Sequence, residues 1–272
     1  MTAFRDLFNL KGRTAVVTGG CGILGRRFAE GLAEFGANVA ILDLDAQAVQ
    51  RAASDLSARH AVSIKGYVCD ITQPGTIRHV ADSVESDLGP VSILLNNAAS
   101  KTRDVDAFFA PVAAFSSETW REIMSVNLDG MFNVAQVFGT LMAARSYGSI
   151  VQTASIYGLM APDQRIYEGS EYLGRAINTP AAYTASKAGV IGLTKHLAAY
   201  WGPQGVRVNT LTPGGVESGQ NDTFKQRYGA RVPLGRMARA DEMVGAVLFL
   251  VSDAASYVTG QNIAVDGGLS AW

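Results

Sequence analysis

Short apolar runs alternate with stretches of helical periodicity along the whole chain. The runs fall at 14–18, 38–42, 63–69, 91–95, 149–153, 206–211 and 262–265, and each has the length of a strand. Helical patterns fill 23–35, 46–58, 74–88, 117–144, 181–201 and 241–251, and Gly36 ends the first of them. Strands buried on both faces read as near-continuous apolar runs, so the alternation predicts a parallel sheet covered by helices on both sides. The expected class is α/β, a doubly wound parallel sheet, whose ligands sit beyond the carboxyl ends of the strands. No repeat or linker divides the chain, so 1–272 reads as one domain. Two segments break the rhythm, 157–180 and 213–238. Loops that long in a compact domain are usually lids or binding segments.

Composition narrows the partners. The 272 residues are 48% hydrophobic and 17% charged, which excludes a disordered chain. A net charge of −1 gives no global field toward nucleic acid or a membrane surface. No apolar run approaches membrane-spanning length, and Met1-Thr-Ala-Phe-Arg-Asp lacks the basic and apolar parts of a signal peptide. The two cysteines, Cys21 and Cys69, lie at predicted strand ends. They suggest small buried hydrophobes in a reduced, cytoplasmic setting rather than a disulfide framework. His60, His79 and His196 are scattered without acidic or cysteine neighbours, so each reads as a surface residue and no metal site is expected.

The chemistry concentrates in Tyr183 and Lys187. Their i, i+4 spacing puts a phenol and an ammonium on one helix face. A free tyrosine titrates near about 10, and a neighbouring cation favours the phenolate. Tyr183 is therefore a candidate general base for an alcohol, or general acid for a carbonyl. The spacing alone more often marks surface neighbours. A second motif changes the balance: Thr18-Gly19-Gly20-Cys21-Gly22-Ile23-Leu24-Gly25 follows the first strand and opens the first helix. Gly20-x-Gly22-x-x-Gly25 matches the dinucleotide fingerprint of a Rossmann-type sheet. Its backbone approaches a pyrophosphate, and the helix N-terminus faces the charge. Asp43 ends the second strand 23 residues after Gly20. That is near the offset of an acid that binds ribose hydroxyls and repels a 2′-phosphate, so NAD is favoured over NADP. The alternative for Asp43 is a solvated strand-end carboxylate.

With these features in one chain, the sequence resembles the single-domain members of the short-chain dehydrogenase/reductase family over nearly its whole length. Asn96-Asn97-Ala98-Ala99 is similar to the family's Asn-Asn-Ala-Gly segment beside the cofactor, Asp70-Ile71 to its pair beside the adenine, and Val126-Asn127 to its helix asparagine. Ser155 resembles the serine that ends the fifth strand, and Pro213-Gly214-Gly215-Val216-Glu217-Ser218 the segment under the nicotinamide. The resemblance implies cofactor contacts from Gly19, Gly22, Ile23, Leu24, Gly25, Asp43, Asp70, Ile71, Asn97, Ala98, Tyr183, Lys187, Pro213, Gly214, Val216 and Ser218. It also implies a catalytic set of Asn127, Ser155, Tyr183 and Lys187. Tyr183 would exchange the hydroxyl proton, Lys187 would lower its pKa and hold the ribose, Ser155 would polarise the substrate oxygen, and Asn127 would anchor a water. The tail around Gly260 to Gly268 resembles the strand that builds a tetramer interface, so a homo-oligomer, tetramer or dimer, is implied.

Three departures stand out. Ile23 takes the place of the middle glycine of the family's loop, Ala99 replaces the last glycine of the Asn-Asn segment, and 28 residues separate Ser155 from Tyr183, more than is usual. The excess spans Leu159 to Pro180. It is anchored at both ends at the reaction centre and should wall the substrate site. Its polar and aromatic content suits a hydroxylated small molecule, and it resembles sugar-modifying members of bacterial surface-polysaccharide pathways. Arg165, Arg175, Lys225, Arg227 and Arg231 are candidates for an anionic group on the substrate, with solvated loop cations the alternative. The leading expectation is an NAD-dependent oxidoreductase acting on a secondary alcohol or ketone of a sugar, polyol or sugar derivative. An epimerase- or dehydratase-type enzyme, suggested by the glycine spacing, and a non-catalytic NAD-sensing protein remain as alternatives. An enoyl reductase is disfavoured, because Tyr183 and Lys187 stand too close for one.

Overall fold

In the computed structural model, residues 3–100, 102 and 104–272 are described, and Met1 and Thr2 of the signal-peptide reading lie outside them. The first half runs β1 (Thr14–Thr18), α1 (Ile23–Glu34), β2 (Asn38–Asp43), α2 (Ala46–Ser57), β3 (Ile64–Val68), α3 (Pro74–Leu88), β4 (Val91–Asn96), α4 (Val105–Phe108), α5 (Ser117–Met124) and α6 (Met131–Ala144). The second half runs β5 (Gly148–Thr153), β6 (Glu171–Tyr172), β7 (Arg175–Ala176), α7 (Ala181–Trp201), β8 (Val206–Pro213), α8 (Asp222–Gly229), α9 (Val244–Val251) and β9 (Asn262–Val265). Seven strands form one sheet in the order β3-β2-β1-β4-β5-β8-β9, and every pairing in it is parallel. The order reverses between β1 and β4, which opens a crevice at their carboxyl ends.

Side-chain alternation explains why both faces are covered. Ala15, Val17, Val39 and Ile41 enter a core with Phe28 and Leu32 of α1, Val49 of α2 and Leu250 of α9. Val16, Ala40 and Leu42 enter the opposite core with Val80 and Val84 of α3, Phe138 of α6 and Trp201 of α7. One strand sequence thus feeds two cores with period two. α6 and α7 pack closely because Gly139 has no side chain; a Cβ there would lie 2.3 Å from the Trp201 ring. No helix of the described residues is long and apolar enough to cross a membrane.

The structure differs from the sequence pattern in instructive places. The stretch 117–144 is not one regular helix: α5 and α6 are joined by a π-helical turn, Ser125–Gly130, which carries Asn127. Apolar periodicity survives such an insertion, so the pattern gave no warning of it. A 3-10 turn, Ala240–Met243, replaces the start of the helix expected at 241. The two long segments are structured, by the β6–β7 hairpin and by α8. Leu173 (φ 51°) and Gly174 (φ 75°) form the hairpin turn in the left-handed region that two-residue hairpin loops require. Cys21 lies within the glycine turn rather than at a strand end, and burial pushes its thiol up to about 11. His60 is half-buried rather than on the surface, with its Nε2 shielded.

Candidate active site

The glycine turn is built by close packing. Gly19 adopts φ +62°, and a Cβ on Gly25 would fall 2.1 Å from the Gly19 carbonyl oxygen, so only glycine lets α1 start this near the strand. Gly22 is the N-cap of α1 and Ile23 its first residue; no side chain caps this end, so the first-turn N–H groups face outward uncovered. The loop is therefore a tight turn that leads straight into the helix, and the missing middle glycine does not disturb it. Thr18 locks β1 to β4: its hydroxyl accepts from the N–H groups of Asn97 (2.9 Å) and Ala98 (3.1 Å). The Asn97 amide donates to the Thr18 carbonyl at 3.2 Å.

A cavity of about 510 Å³ opens above this turn, lined by Gly19, Gly22, Ile23, Leu24, Asp43, Asp70, Ile71, Asn97 and Ala98 among others. One Asp43 oxygen accepts from Cys21 N (3.0 Å) and the other from Leu44 N (2.8 Å), which holds the carboxylate at the cavity rim. Asp70 accepts from the Thr72 N–H (2.9 Å) and hydroxyl (2.7 Å). The uncapped helix end, the side-chain-free turn and the rim carboxylate suit a dinucleotide: phosphates against the N–H groups, ribose hydroxyls against Asp43.

A second cavity, of about 430 Å³, shares Ile23, Leu24, Asn97 and Ala99 with the first and extends from it over Ser155, Tyr183 and Lys187 to Pro213, Gly214, Val216 and Ser218. Ser155 follows β5; its oxygen accepts from Tyr157 N at 3.3 Å, and its side chain interacts with the Tyr183 phenol. Lys187, one turn along α7, is buried and donates to the Thr153 carbonyl at 2.9 Å. Its ammonium lies 5.9 Å from the Tyr183 ring centroid. Burial lowers the lysine pKa to about 8. The tyrosine moves the opposite way from the sequence expectation. Burial raises the phenol above its usual range, and the Ser155 hydrogen bond only partly opposes this. The ammonium is turned to a backbone carbonyl, so withdrawal from water outweighs its field at the phenol.

Asn127 is fully buried in the π turn, and its Oδ1 accepts from Ser100 N at 2.8 Å, pinning the chain beyond β4. Its Nδ2 has no partner. A π turn places that side chain where a regular helix would not, a common device at functional sites. Beyond β8, the Val216 carbonyl and Ser218 are already engaged from within. The Gln220 amide oxygen accepts from Ser218 N (2.7 Å), and its NH2 donates to Val216 O (3.2 Å) and Ser218 Oγ (3.0 Å).

The two long segments form one cap. Ile156 and Ile166 pack with Phe224, Tyr228, Val232, Met237 and Leu269 in a small separate core. The cap is also pinned by charge. Asp163 takes a forked pair from Arg165 (2.9 and 2.7 Å) and a bond from Arg231, which holds its carboxyl down at about 2. Arg175 pairs with Asp106 at 2.6 Å, Arg227 with Glu168 at 3.5 Å and Lys225 with Asp222 at 3.7 Å. The five cations suggested for a substrate anion are thus each paired with a carboxylate, and none lines the cavity over Ser155 and Tyr183. Arg231 and Arg227 tie the two segments to each other instead.

The family model described as "Enoyl-(Acyl carrier protein) reductase" matches residues 22–270. The chain is 37% identical to galactitol 2-dehydrogenase (L-tagatose-forming) of Cereibacter sphaeroides over 99% of both chains. The chain belongs to the short-chain dehydrogenase/reductase family. Among solved structures, it resembles a gluconate 5-dehydrogenase from Burkholderia cenocepacia in complex with NADP and tartrate (TM-score 0.85, 34% identity, 98% of each chain). It also resembles an NAD+-bound xylitol dehydrogenase (TM-score 0.82, 29% identity, 95% of this chain and 99% of that one). As a short-chain dehydrogenase/reductase it is an oxidoreductase that uses a nicotinamide cofactor on CH–OH groups. Its seven-stranded parallel sheet is that of the family's fold. Sequence reasoning missed two residues that shape this site. Thr18 stands directly before Gly19, and its place at a strand end was the available signal. Gln220 carried none, since it acts through loop conformation.

Proposed function

We propose that this protein is an NAD-dependent dehydrogenase that oxidises a secondary alcohol of a polyol or sugar to the ketone, and reduces the ketone in reverse. The observation that carries the reading is that Ser155, Tyr183 and Lys187 line one cavity, which meets the cavity above the glycine turn along Ile23, Leu24, Asn97 and Ala99. Bound nicotinamide would supply the hydride acceptor. The proton steps belong to the chain: Tyr183 takes the proton of the substrate hydroxyl, Ser155 hydrogen-bonds the same oxygen, and Lys187 supplies the charge that steadies the phenolate once it forms. Asn127 holds the segment that edges the site through its bond from Ser100 N. Asp43 supports NAD, because its carboxylate at the rim would face a 2′-phosphate. The named dehydrogenase relatives of galactitol and xylitol support a polyol substrate. A homo-oligomer is part of the same reading.

The test is absorbance at the NADH wavelength with NAD or NADP and a panel of polyols, aldonates and sugar phosphates. NADH formation with a polyol, lost in Tyr183→Phe while NAD binding persists, is the expected result. Preference for NADP would overturn the role of Asp43, and full turnover by Tyr183→Phe would overturn the proton path.

A further inference from the structure

Gly214 and Gly215 line the cavity over Ser155 and Tyr183, and their backbone is held from three sides. Gly214 N donates to the Val265 carbonyl of β9, and the Gly215 carbonyl accepts from Ala238 N, both at 2.9 Å. The third hold is a side chain. Gly215 N donates to the hydroxyl oxygen of Tyr228, on α8, at 2.5 Å. Tyr228 is 2% exposed, and a Cβ on Gly215 would lie 2.6 Å from its ring, so only glycine lets the ring come this close. The same ring ends a stack. Tyr228 stacks on Phe224 of α8 (centroids 5.7 Å apart, planes at 30°), and Phe224 on Tyr167 of the inserted segment (6.1 Å, 20°). The Tyr167 hydroxyl shares a 2.6 Å hydrogen bond with Thr179, four residues before Tyr183. All three rings line the cavity, as do Pro213 and Val216. One wall is therefore a continuous run of packed groups. It leads from the inserted segment to the stretch that the family resemblance places under the nicotinamide. Close-packed groups have no slack and transmit displacement.

We propose that Tyr228 is a positioning residue that couples the two ligands of this enzyme. A substrate seated against the ring stack fixes the stack, and the Tyr228 bond to Gly215 passes that constraint to Gly214 and Val216 beside the nicotinamide. A bound cofactor fixes the stack in return, because coupling between two sites is reciprocal. The coupling rests on the dehydrogenase reading, which supplies both ligands, and adds a dependence of each on the other.

The experiment measures NADH binding by its fluorescence, without polyol and with the polyol turned over fastest among galactitol, xylitol, D-mannitol and D-threitol. An alcohol does not react with the reduced cofactor, so the ternary complex persists during the titration. In the wild type, saturating polyol should tighten NADH about fivefold. Tyr228→Phe keeps the ring and loses the hydroxyl. It should bring the ratio of the two dissociation constants to within about twofold of one, since a neutral hydrogen bond is worth roughly that coupling. Phe224→Leu breaks the stack, leaves the Tyr228 hydroxyl in place and should have the same effect; it serves where Tyr228→Phe does not fold. A purely structural role would weaken NADH equally with and without polyol, and leave the ratio at its wild-type value. That result, or a wild-type ratio of one, would overturn the proposal and leave the dehydrogenase standing. No turnover of any of these polyols by the wild type would overturn both.

Discussion

Lys187 is only 2% exposed, and burial alone brings it from 10.5 to about 8. Holding its charge there costs the fold on the order of 3 kcal/mol. The unfolded chain keeps this proton up to 10.5, whereas the folded chain releases it near 8. The unfolded state therefore binds more protons between those values, and stability should rise with pH across that window. Lys187→Met removes the charge and keeps the length. It should melt higher at pH 7 and lose turnover, with its stability advantage fading above pH 10.5; thermal unfolding against pH reads both effects. In the active protein, the charge that steadies the Tyr183 phenolate is lost as pH passes about 8, so the pH profile of kcat should break there. A flat stability profile and an unchanged melting point in Lys187→Met would refute this account. The pair was legible from its i, i+4 spacing. The direction of the tyrosine pKa was not, because spacing reports the neighbour and says nothing of the water removed from both groups.

At the scale of elements, the strands, α1 and α7 were readable because continuous burial and the glycine turn leave marks in the residue pattern. The π turn at Asn127 and the cap were not. The first hides within unbroken helical periodicity. The second is held by pairs such as Asp163 with Arg231, 68 residues apart, where neither sequence alone indicates the other. The cap reaches the cofactor side through Gln220. Its backbone bridges to Tyr172 of the β6–β7 hairpin, and Asn221 N donates to the Glu171 carbonyl at 3.0 Å. Its side-chain carboxamide takes groups of Val216 and Ser218, residues that the family resemblance places against the nicotinamide, which ends in a carboxamide of its own. The two carboxamides have the same donors and acceptors and compete for one cradle. Gln220→Ala removes the internal competitor, so NAD should bind roughly three- to tenfold more tightly by calorimetry, the worth of a neutral hydrogen bond or so. Weaker binding in the variant would show instead that Gln220 helps to build the cradle.

At the scale of the molecule, the covered sheet leaves apolar side chains on the outer faces of the helices behind the site. Ile123 of α5 is buried within the subunit beside Phe108 and Ala182. Phe132 of α6 and Tyr200 of α7 are not: they are 42% and 63% exposed and line one groove with Gln136, Thr140 and His196. Trp120 of α5 adds a further exposed ring on the same run of helices. Contiguous exposed aromatic surface on helices is what an isologous dimer buries. The 28.7 kDa chain should therefore sediment as a dimer or tetramer, and Phe132→Glu with Tyr200→Glu should lower the assembly state. An assembly unchanged by the double substitution would exclude this face as the interface. π-turn residue Asn127 lies only five residues before Phe132, so a loosened interface should also reach the site. Loss of assembly would then bring a fall in kcat larger than the change in KM for NAD, because the glycine turn and Asp43 stand on other elements, α1 and β2, and keep their geometry.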